Sequence, residues 1–402
     1  MSIGSSIKRT LGKIRLKLYP VCNLLCGLFP MKKEIILESY PDLTCNTFEL
    51  YRYMLKQGLN KKYQLTWLVG NPEQFKDCHE ENVSFTAIKP KGLPDKVRLY
   101  IRTNRAAAAI ASNRRIQRYR TSKKQLNIYL DHGSQLKGML INGVRYNVSC
   151  DYTIAQSSFF VPYITDVYDV SKEQVIVTGL PRNDQMYRKY DTISRIFPDI
   201  GEFKKSIIWV PTFRQHRRVS RVDVVSEEPF GLPLFQSEEM VRTADELLRN
   251  LNVLLIIKPH PSQYLGAIKE FSCSNIRFIY NDDLSKNDIQ TNELLAQTDA
   301  MITDYSSIYY DYLLLDRPIA ITLDDFQEYC EQKGFVFEHP LDILKGYYLY
   351  TIEDLCSFIQ DVAAGEDRTL DERIKIKKLT DDFLDDNSSK RVYDFIMENL
   401  KV

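Results

Sequence analysis

The stretch Thr303-Asp304-Tyr305-Ser306-Ser307-Ile308-Tyr309-Tyr310-Asp311 follows the apolar run Ala300-Met301-Ile302 and leads into a helix-like run, Ile308–Leu315. A strand end, a polar turn and a helix start in that order form the repeating unit of an α/β chain. Two adjacent hydroxyls beside the first free N–H groups of a helix also make a place suited to a phosphate. Ser and Asp cap ordinary helices for the same reason, so the meaning of this turn depends on the rest of the chain.

Upstream and downstream the pattern repeats. The first half offers strands at Glu34–Glu38, Gln64–Val69, Val83–Ile88, Ala106–Ala111, Leu126–Leu130, Tyr152–Ala155 and Val175–Thr178. A second series follows at Ile207–Val210, Val253–Ile257, Ile276–Ile279, Ala300–Ile302 and Pro318–Thr322. Helical periodicity marks Thr47–Lys56, Ser237–Asn250, Gln290–Gln297, Ser307–Leu314 and Ile352–Ala363. Short apolar runs alternating with amphipathic stretches predict an α/β fold with parallel sheets. The pattern loosens across Asp184–Lys205, around Pro198 and Gly201, where a domain boundary is expected. Four segments follow: an N-terminal arm (1–30), a first domain (31–190), a second (191–385) and a C-terminal helix (386–402) able to cross back to the first. Two such sheets would hold a ligand between the carboxyl ends of their strands.

Composition sets wide bounds. The 402 residues are enough for two cores. Lys and Arg (54) nearly cancel Asp and Glu (53), so global charge implies no polyanion partner. Eight Cys are scattered, and no His stands near Cys22 and Cys26 to complete a zinc set; they read as free thiols of a cytoplasmic protein. No carboxylate cluster calls for a metal, and no cofactor is expected. No run reaches the ~20 apolar residues that span a bilayer. The cations Lys8, Arg9, Lys13, Arg15 and Lys17 precede the apolar stretch Leu18–Pro30, broken by Pro20 and Asn23. That reads as a segment lying on an anionic membrane face or as a loose arm. The basic run Arg114–Lys124 reads as a solvated loop or as a dock for an anionic lipid or polymer. With Tyr119 as its one aromatic, it does not suggest nucleic acid.

Four more strand ends carry chemistry. After Leu126–Leu130 comes Asp131-His132-Gly133-Ser134-Gln135, an imidazole at a strand mouth next to a Gly that permits close approach. After Val175–Thr178 comes Gly179-Leu180-Pro181-Arg182-Asn183-Asp184, whose Arg182 would grip a phosphate or bridge the domains. Pro211-Thr212-Phe213-Arg214 and Lys258-Pro259-His260-Pro261 end two strands of the second series. Each alone has a bland structural reading. Together they predict a phosphate-bearing ligand between two domains.

The five segments, in this order, resemble the CDP-glycerol glycerophosphotransferase family, the teichoic-acid primases and polymerases, over roughly 32–346. The resemblance implies a GT-B-like fold of two Rossmann-like domains facing an interdomain cleft, and peripheral attachment to the cytoplasmic membrane face. It implies transfer of glycerol phosphate, or a related alditol phosphate, from a CDP-activated donor to a lipid-linked or glycan acceptor. His132 would be the base and His260 would lie at the pyrophosphate. Gly133, Ser134, Arg182, Pro211, Thr212, Arg214, Lys258, Ser306, Ser307 and Asp311 would bind substrate. The family commonly has Trp before this His and Thr-Pro after the Gly, where this chain has Asp131 and Ser134-Gln135. Asp131 would either strengthen the base or mark a different acceptor pocket. The rival reading is a GT-B glycosyltransferase or epimerase acting on a nucleotide sugar.

Overall fold

The computed structural model describes residues 29–113, 124–138, 148–212, 232–260 and 273–401. Among them a first sheet holds β1 (Lys32–Glu38), β2 (Gln64–Val69), β3 (Val83–Ala87), β4 (Ala106–Ala111), β5 (Leu126–Tyr129), β6 (Tyr152–Ala155) and β7 (Val175–Val177). A second holds β8 (Lys205–Trp209), β9 (Val253–Ile257), β10 (Ile276–Phe278), β11 (Ala300–Thr303), β12 (Ile319–Thr322) and β13 (Tyr347–Leu349). The orders are β3-β2-β1-β4-β5-β6-β7 and β10-β9-β8-β11-β12-β13. Every pairing within both sheets is parallel. The helices are α1 (Cys45–Lys56), α2 (Leu93–Arg105), α3 (Val161–Tyr168), α4 (Glu238–Leu251), α5 (Asn281–Lys286), α6 (Thr291–Leu295), α7 (Ile308–Leu313), α8 (Phe326–Gln332), α9 (Ile352–Ala364), α10 (Leu370–Thr380) and α11 (Ser388–Asn399).

These are the two doubly wound sheets that the alternation implies. A parallel sheet is covered on both faces, so its strands read as unbroken apolar runs, and β9, Val-Leu-Leu-Ile-Ile, is buried throughout. Ala-rich β4 is a poor strand by propensity, yet all six residues are buried between β1 and β5, and burial overrides propensity. Strand β13, Tyr-Tyr-Leu, escaped the sequence reading because it lacks the aliphatic run that marks the other short strands. It can reach β12 because Gly346 precedes it: a Cβ there would stand 2.5 Å from the Ile319 carbonyl oxygen. Local signals stop the helices cleanly. Thr351 and Asp354 form a capping box on α9, and Gly365, at φ 79°, ends it.

The two units share one apolar cluster. Phe160 and Tyr129 from the first pack with Tyr305 and Tyr310 from the second, and the Phe160 and Tyr310 rings meet edge to face at 5.0 Å. A short antiparallel bridge joins Lys137 to Phe335, with Val336 N–H donating to the Leu136 carbonyl at 3.0 Å. The tail after α10 returns to the first unit. Val392 and Ile396 of α11 join its core, and Asp184 caps α11 by accepting the Ser388 and Ser389 N–H groups at 2.8 and 2.9 Å.

Candidate active site

In each sheet the strand order reverses once, between β1 and β4 and between β8 and β11. The crevice outside the carboxyl ends at such a point is where open α/β sheets bind ligands. In the second sheet the two strand ends there are stitched together. The Asp304 carboxylate accepts the Thr212 N–H at 2.7 Å and its hydroxyl at 2.9 Å. Thr303 donates to the Val210 carbonyl at 2.9 Å. Pro211 and Thr212 are therefore buried in the floor of the crevice, and Asp304 braces the turn that carries Ser306 and Ser307. Both serines are half-buried at the start of α7, with no side-chain cap on it from Ser307.

Lys258 ends β9 on the same floor. Its ammonium is buried and donates to the Asn281 side-chain oxygen at 2.8 Å. Burial alone lowers its pKa to about 8. No carboxylate pairs with it among the described residues, so an entering anion would supply the missing charge. Pro259 is buried and His260 exposed just beyond it. Arg214 lies outside the described residues.

From the opposite wall, β5 delivers Asp131 and His132. Asp131 sits at φ 52°, a conformation Asp tolerates better than most side chains, and is buried while His132 is exposed. One Asp131 oxygen accepts both the His132 backbone N–H (2.7 Å) and Nδ1–H (3.0 Å). The other accepts Gln135 Nε2 at 2.8 Å and the Tyr168 hydroxyl. Burial pushes this carboxyl up, but the hydrogen bond and charge of His132, with Tyr168, outweigh burial and hold it below the usual carboxylate range. In the neutral imidazole, the carboxylate favours the tautomer with the proton on Nδ1, which leaves the Nε2 lone pair to accept a proton.

The walls touch at Gly133. A Cβ there would overlap the Ser307 hydroxyl and stand 3.1 Å from Ser307 Cβ and 3.2 Å from an Arg182 Nη. Only Gly lets the two loops approach this closely. Arg182 completes the junction. One Nη donates to the His132 carbonyl and the other pairs with Asp311 of α7 at 2.7 Å. Both side chains are largely buried. Burial pushes the Asp311 carboxyl up, and Arg182 only partly pulls it back. Of the two roles open to Arg182, the structure displays the interdomain bridge, and Asp311 is its partner.

Ser134 turns inward. Its hydroxyl donates to Gln156 at 2.5 Å, and Gln156 Nε2 donates to Asp381 at 2.5 Å. Burial raises the Asp381 pKa to about 7. The structure thus gathers His132, Gly133, Arg182, Ser307 and Asp311 into one contact chain, with Thr212 and Lys258 on the floor and Ser134 behind the wall. Sequence reading passed over Asn46, whose Nδ2 donates to the Leu130 and Asp131 carbonyls at 2.9 and 3.1 Å and whose Oδ1 accepts the Arg182 N–H. It also passed over Asn281, Gln156 and Asp381. Gln156 does follow a strand end, that of β6, but with no His, Arg or Gly motif to single it out, and Asn46, Asn281 and Asp381 lie in or next to helices, where a polar residue has no periodic signal. The Gly179–Asp184 segment does two jobs. Gly179 (φ 76°) lets Ser388 approach and Asp184 caps α11, while Arg182 faces the junction.

Residues 23–398 match the family described as CDP-Glycerol:Poly(glycerophosphate) glycerophosphotransferase, and the chain belongs to that family. It is similar to the teichoic acid ribitol-phosphate primase of Bacillus spizizenii, 24% identical over 61% of this chain and 59% of the relative. It is also similar to the teichoic acid poly(glycerol phosphate) polymerase of Bacillus subtilis, 24% identical over 90% of this chain and 48% of the relative. The chain thus spans about half the length of these curated relatives. Its fold is that of the solved wall teichoic acid polymerase TagF, with a TM-score of 0.69 at 18% identity over 100% of this chain and 99% of that one.

Proposed function

We propose that this family member transfers glycerol phosphate, or a related alditol phosphate, from a CDP-activated donor to a hydroxyl of a lipid-linked or glycan acceptor. CMP is released, and the product is a teichoic-acid or capsule-type polymer. The observation that carries this reading is the exposed His132 imidazole, its Nδ1 tied to a buried carboxylate and its loop held against Ser307 across the cleft. In the reaction, Nε2 takes the acceptor O–H proton as that oxygen attacks the alditol-side phosphorus. The bond from this phosphorus to the CMP oxygen breaks, and CMP leaves as the phosphate monoester.

The unit of residues 31–190 then serves the acceptor and that of 191–385 the donor. Lys258 meets the pyrophosphate, with Pro211, Thr212, Ser306 and Ser307 framing the donor and His260 by the leaving group. Arg182 and Asp311 hold the two halves in register, and Gly133 keeps the passage between them narrow. Pre-organised cations around a phosphoryl group and a positioned base are the main requirements of such a displacement. The reaction is placed at the cytoplasmic face of a bacterial membrane, with the protein bound peripherally. No helix among the described residues is long and apolar enough to cross a membrane.

A donor screen with purified protein tests the reading. CMP release from CDP-glycerol or CDP-ribitol in the presence of acceptor is expected, and UDP release from UDP-sugars instead would replace it with the glycosyltransferase reading. His132→Ala should abolish transfer while donor binding persists; retained turnover would remove His132 as the base.

A further inference from the structure

His132 stands between two side-chain anchors. Upstream, Asp131 clamps the imidazole and is itself held by Gln135 and Tyr168. Downstream, Gly133 has no side chain to hold, so the next anchor is the buried Ser134. Its hydroxyl donates to Gln156 Oε1 at 2.5 Å, and Gln156 Nε2 donates to Asp381 Oδ1 at 2.5 Å. Gln156 follows β6 of the first unit, whereas Asp381 follows α10 of the second. The loop that carries the imidazole is thereby tied to the segment that returns from the second unit. Asp382, the next residue, accepts the Ser158 N–H at 2.8 Å and fixes that segment beside Gln156.

The surroundings of Asp381 favour a neutral acid. It is buried, and no cation forms an ion pair with it among the described residues. Lys377, one helical turn back, donates to both Asp316 oxygens at 2.5 Å instead. Asp311 of α7 and the Tyr187 phenol also stand near it and bring no positive charge, and the Asp311 charge opposes ionisation. Burial prevails and raises the pKa to about 7. The hydrogen bonds agree. The Thr380 hydroxyl lies 2.9 Å from the Ile376 carbonyl and 3.1 Å from Asp381 Oδ2. With one proton it donates to only one of them. A protonated Oδ2 donates to Thr380 and both contacts are made; a carboxylate leaves one unmade.

We propose that Asp381 is a positioning residue for the transfer reaction, holding the His132 loop in its working place as a neutral acid through Gln156 and Ser134. A carboxylate at that place must be hydrated, with Asp311 beside it and Lys377 engaged elsewhere. Reaching water draws the segment away from Gln156, and Ser134 loses its hold. Transfer then slows as Asp381 ionises, with the base itself unchanged. This role rests on the reading of His132 as the base and names what keeps that base in place.

The test is kcat of the full chain against pH at saturating CDP-glycerol, where the bound pyrophosphate keeps Lys258 charged. Asp381→Asn copies the neutral acid, since its oxygen accepts from Gln156 and its amide donates to Thr380. Wild-type kcat divided by that of Asp381→Asn should fall roughly tenfold between about pH 6.5 and about pH 8.5. The division removes the titration of His132, which both proteins share. Ser134→Ala cuts the link and should lower kcat and abolish this fall. Hydrogen exchange of residues 131–137 at about pH 8.5 reads the loop without turnover and should be slower in Asp381→Asn than in the wild type. A constant kcat ratio, equal exchange in the two proteins, or a wild-type fall retained in Ser134→Ala would each overturn the positioning role while leaving His132 as the base. Retained turnover in His132→Ala would overturn the base reading and this role with it.

Discussion

The Oδ1 of Asp131 lies 3.0 Å from Nδ1 of His132 and also accepts that residue's backbone N–H. A carboxylate adjacent in sequence thus clamps the imidazole at two points. Asp131 is itself held by Gln135 and Tyr168, so the His132 ring is oriented from the core outward.

Asp131→Asn should therefore leave the fold and donor affinity nearly intact while releasing the tautomer. The expected loss is on the order of 10²–10⁴ in kcat with little change in donor KM. Steady-state kinetics with CDP-glycerol check this; a loss confined to KM would make Asp131 a binding residue.

Lys258 should make donor affinity fall with pH. Its pKa is lowered to about 8 by burial, and a pyrophosphate favours the charged form. Donor affinity is then constant below about 8 and falls as pH rises through it. Lys258→Gln should bind roughly 10–100-fold more weakly and lose this pH dependence, as read by calorimetric titration. In the free protein the unfolded state binds more protons between about 8 and the ordinary lysine range, so stability rises with pH across that window.

Gly133→Ala should cost about 1–3 kcal/mol of stability, because its Cβ overlaps Ser307. Adding Ser307→Gly removes the atoms it strikes and should return most of that loss in thermal unfolding. Equal destabilisation by the single and double variants would place the strain elsewhere.

Asp381 should make stability fall as pH rises. Burial raises its pKa to about 7, so the folded state holds a proton that the unfolded state releases above the ordinary carboxylate range. The contribution is complete below that range and is lost as pH climbs through about 7. Asp381→Asn keeps a hydrogen-bond partner for Gln156 and should flatten this slope, by on the order of 4 kcal/mol across the window. Melting temperatures of the two proteins against pH decide it.

Much of the fold was legible because its signals are local. Runs such as Val253–Ile257 and Ala300–Thr303 are buried on both faces of a parallel sheet, so they announce themselves without a partner. The polar residues following them were legible as crevice residues for the same reason, since a strand end in such a sheet points to one side. Strand β13 was not, being Tyr-Tyr-Leu without an aliphatic run and dependent on Gly346 for its approach.

Sequence alone determined the α/β alternation, the placing of His132, Arg182, Thr212, Lys258 and Ser307 at strand ends, and the family resemblance those segments carry. Only tertiary structure decided which of these side chains meet. Arg182 pairs with Asp311 across 129 positions of chain, Gly133 yields to Ser307, and Ser134 turns inward to Gln156 and, through it, to Asp381. Periodicity is a property of neighbours in the chain, whereas these contacts depend on how two separately formed sheets face each other. The Thr303–Asp311 turn shows the difference: its sequence suits a helix cap and a phosphate site equally, and Gly133 and Arg182 packing against it make it one wall of the cleft.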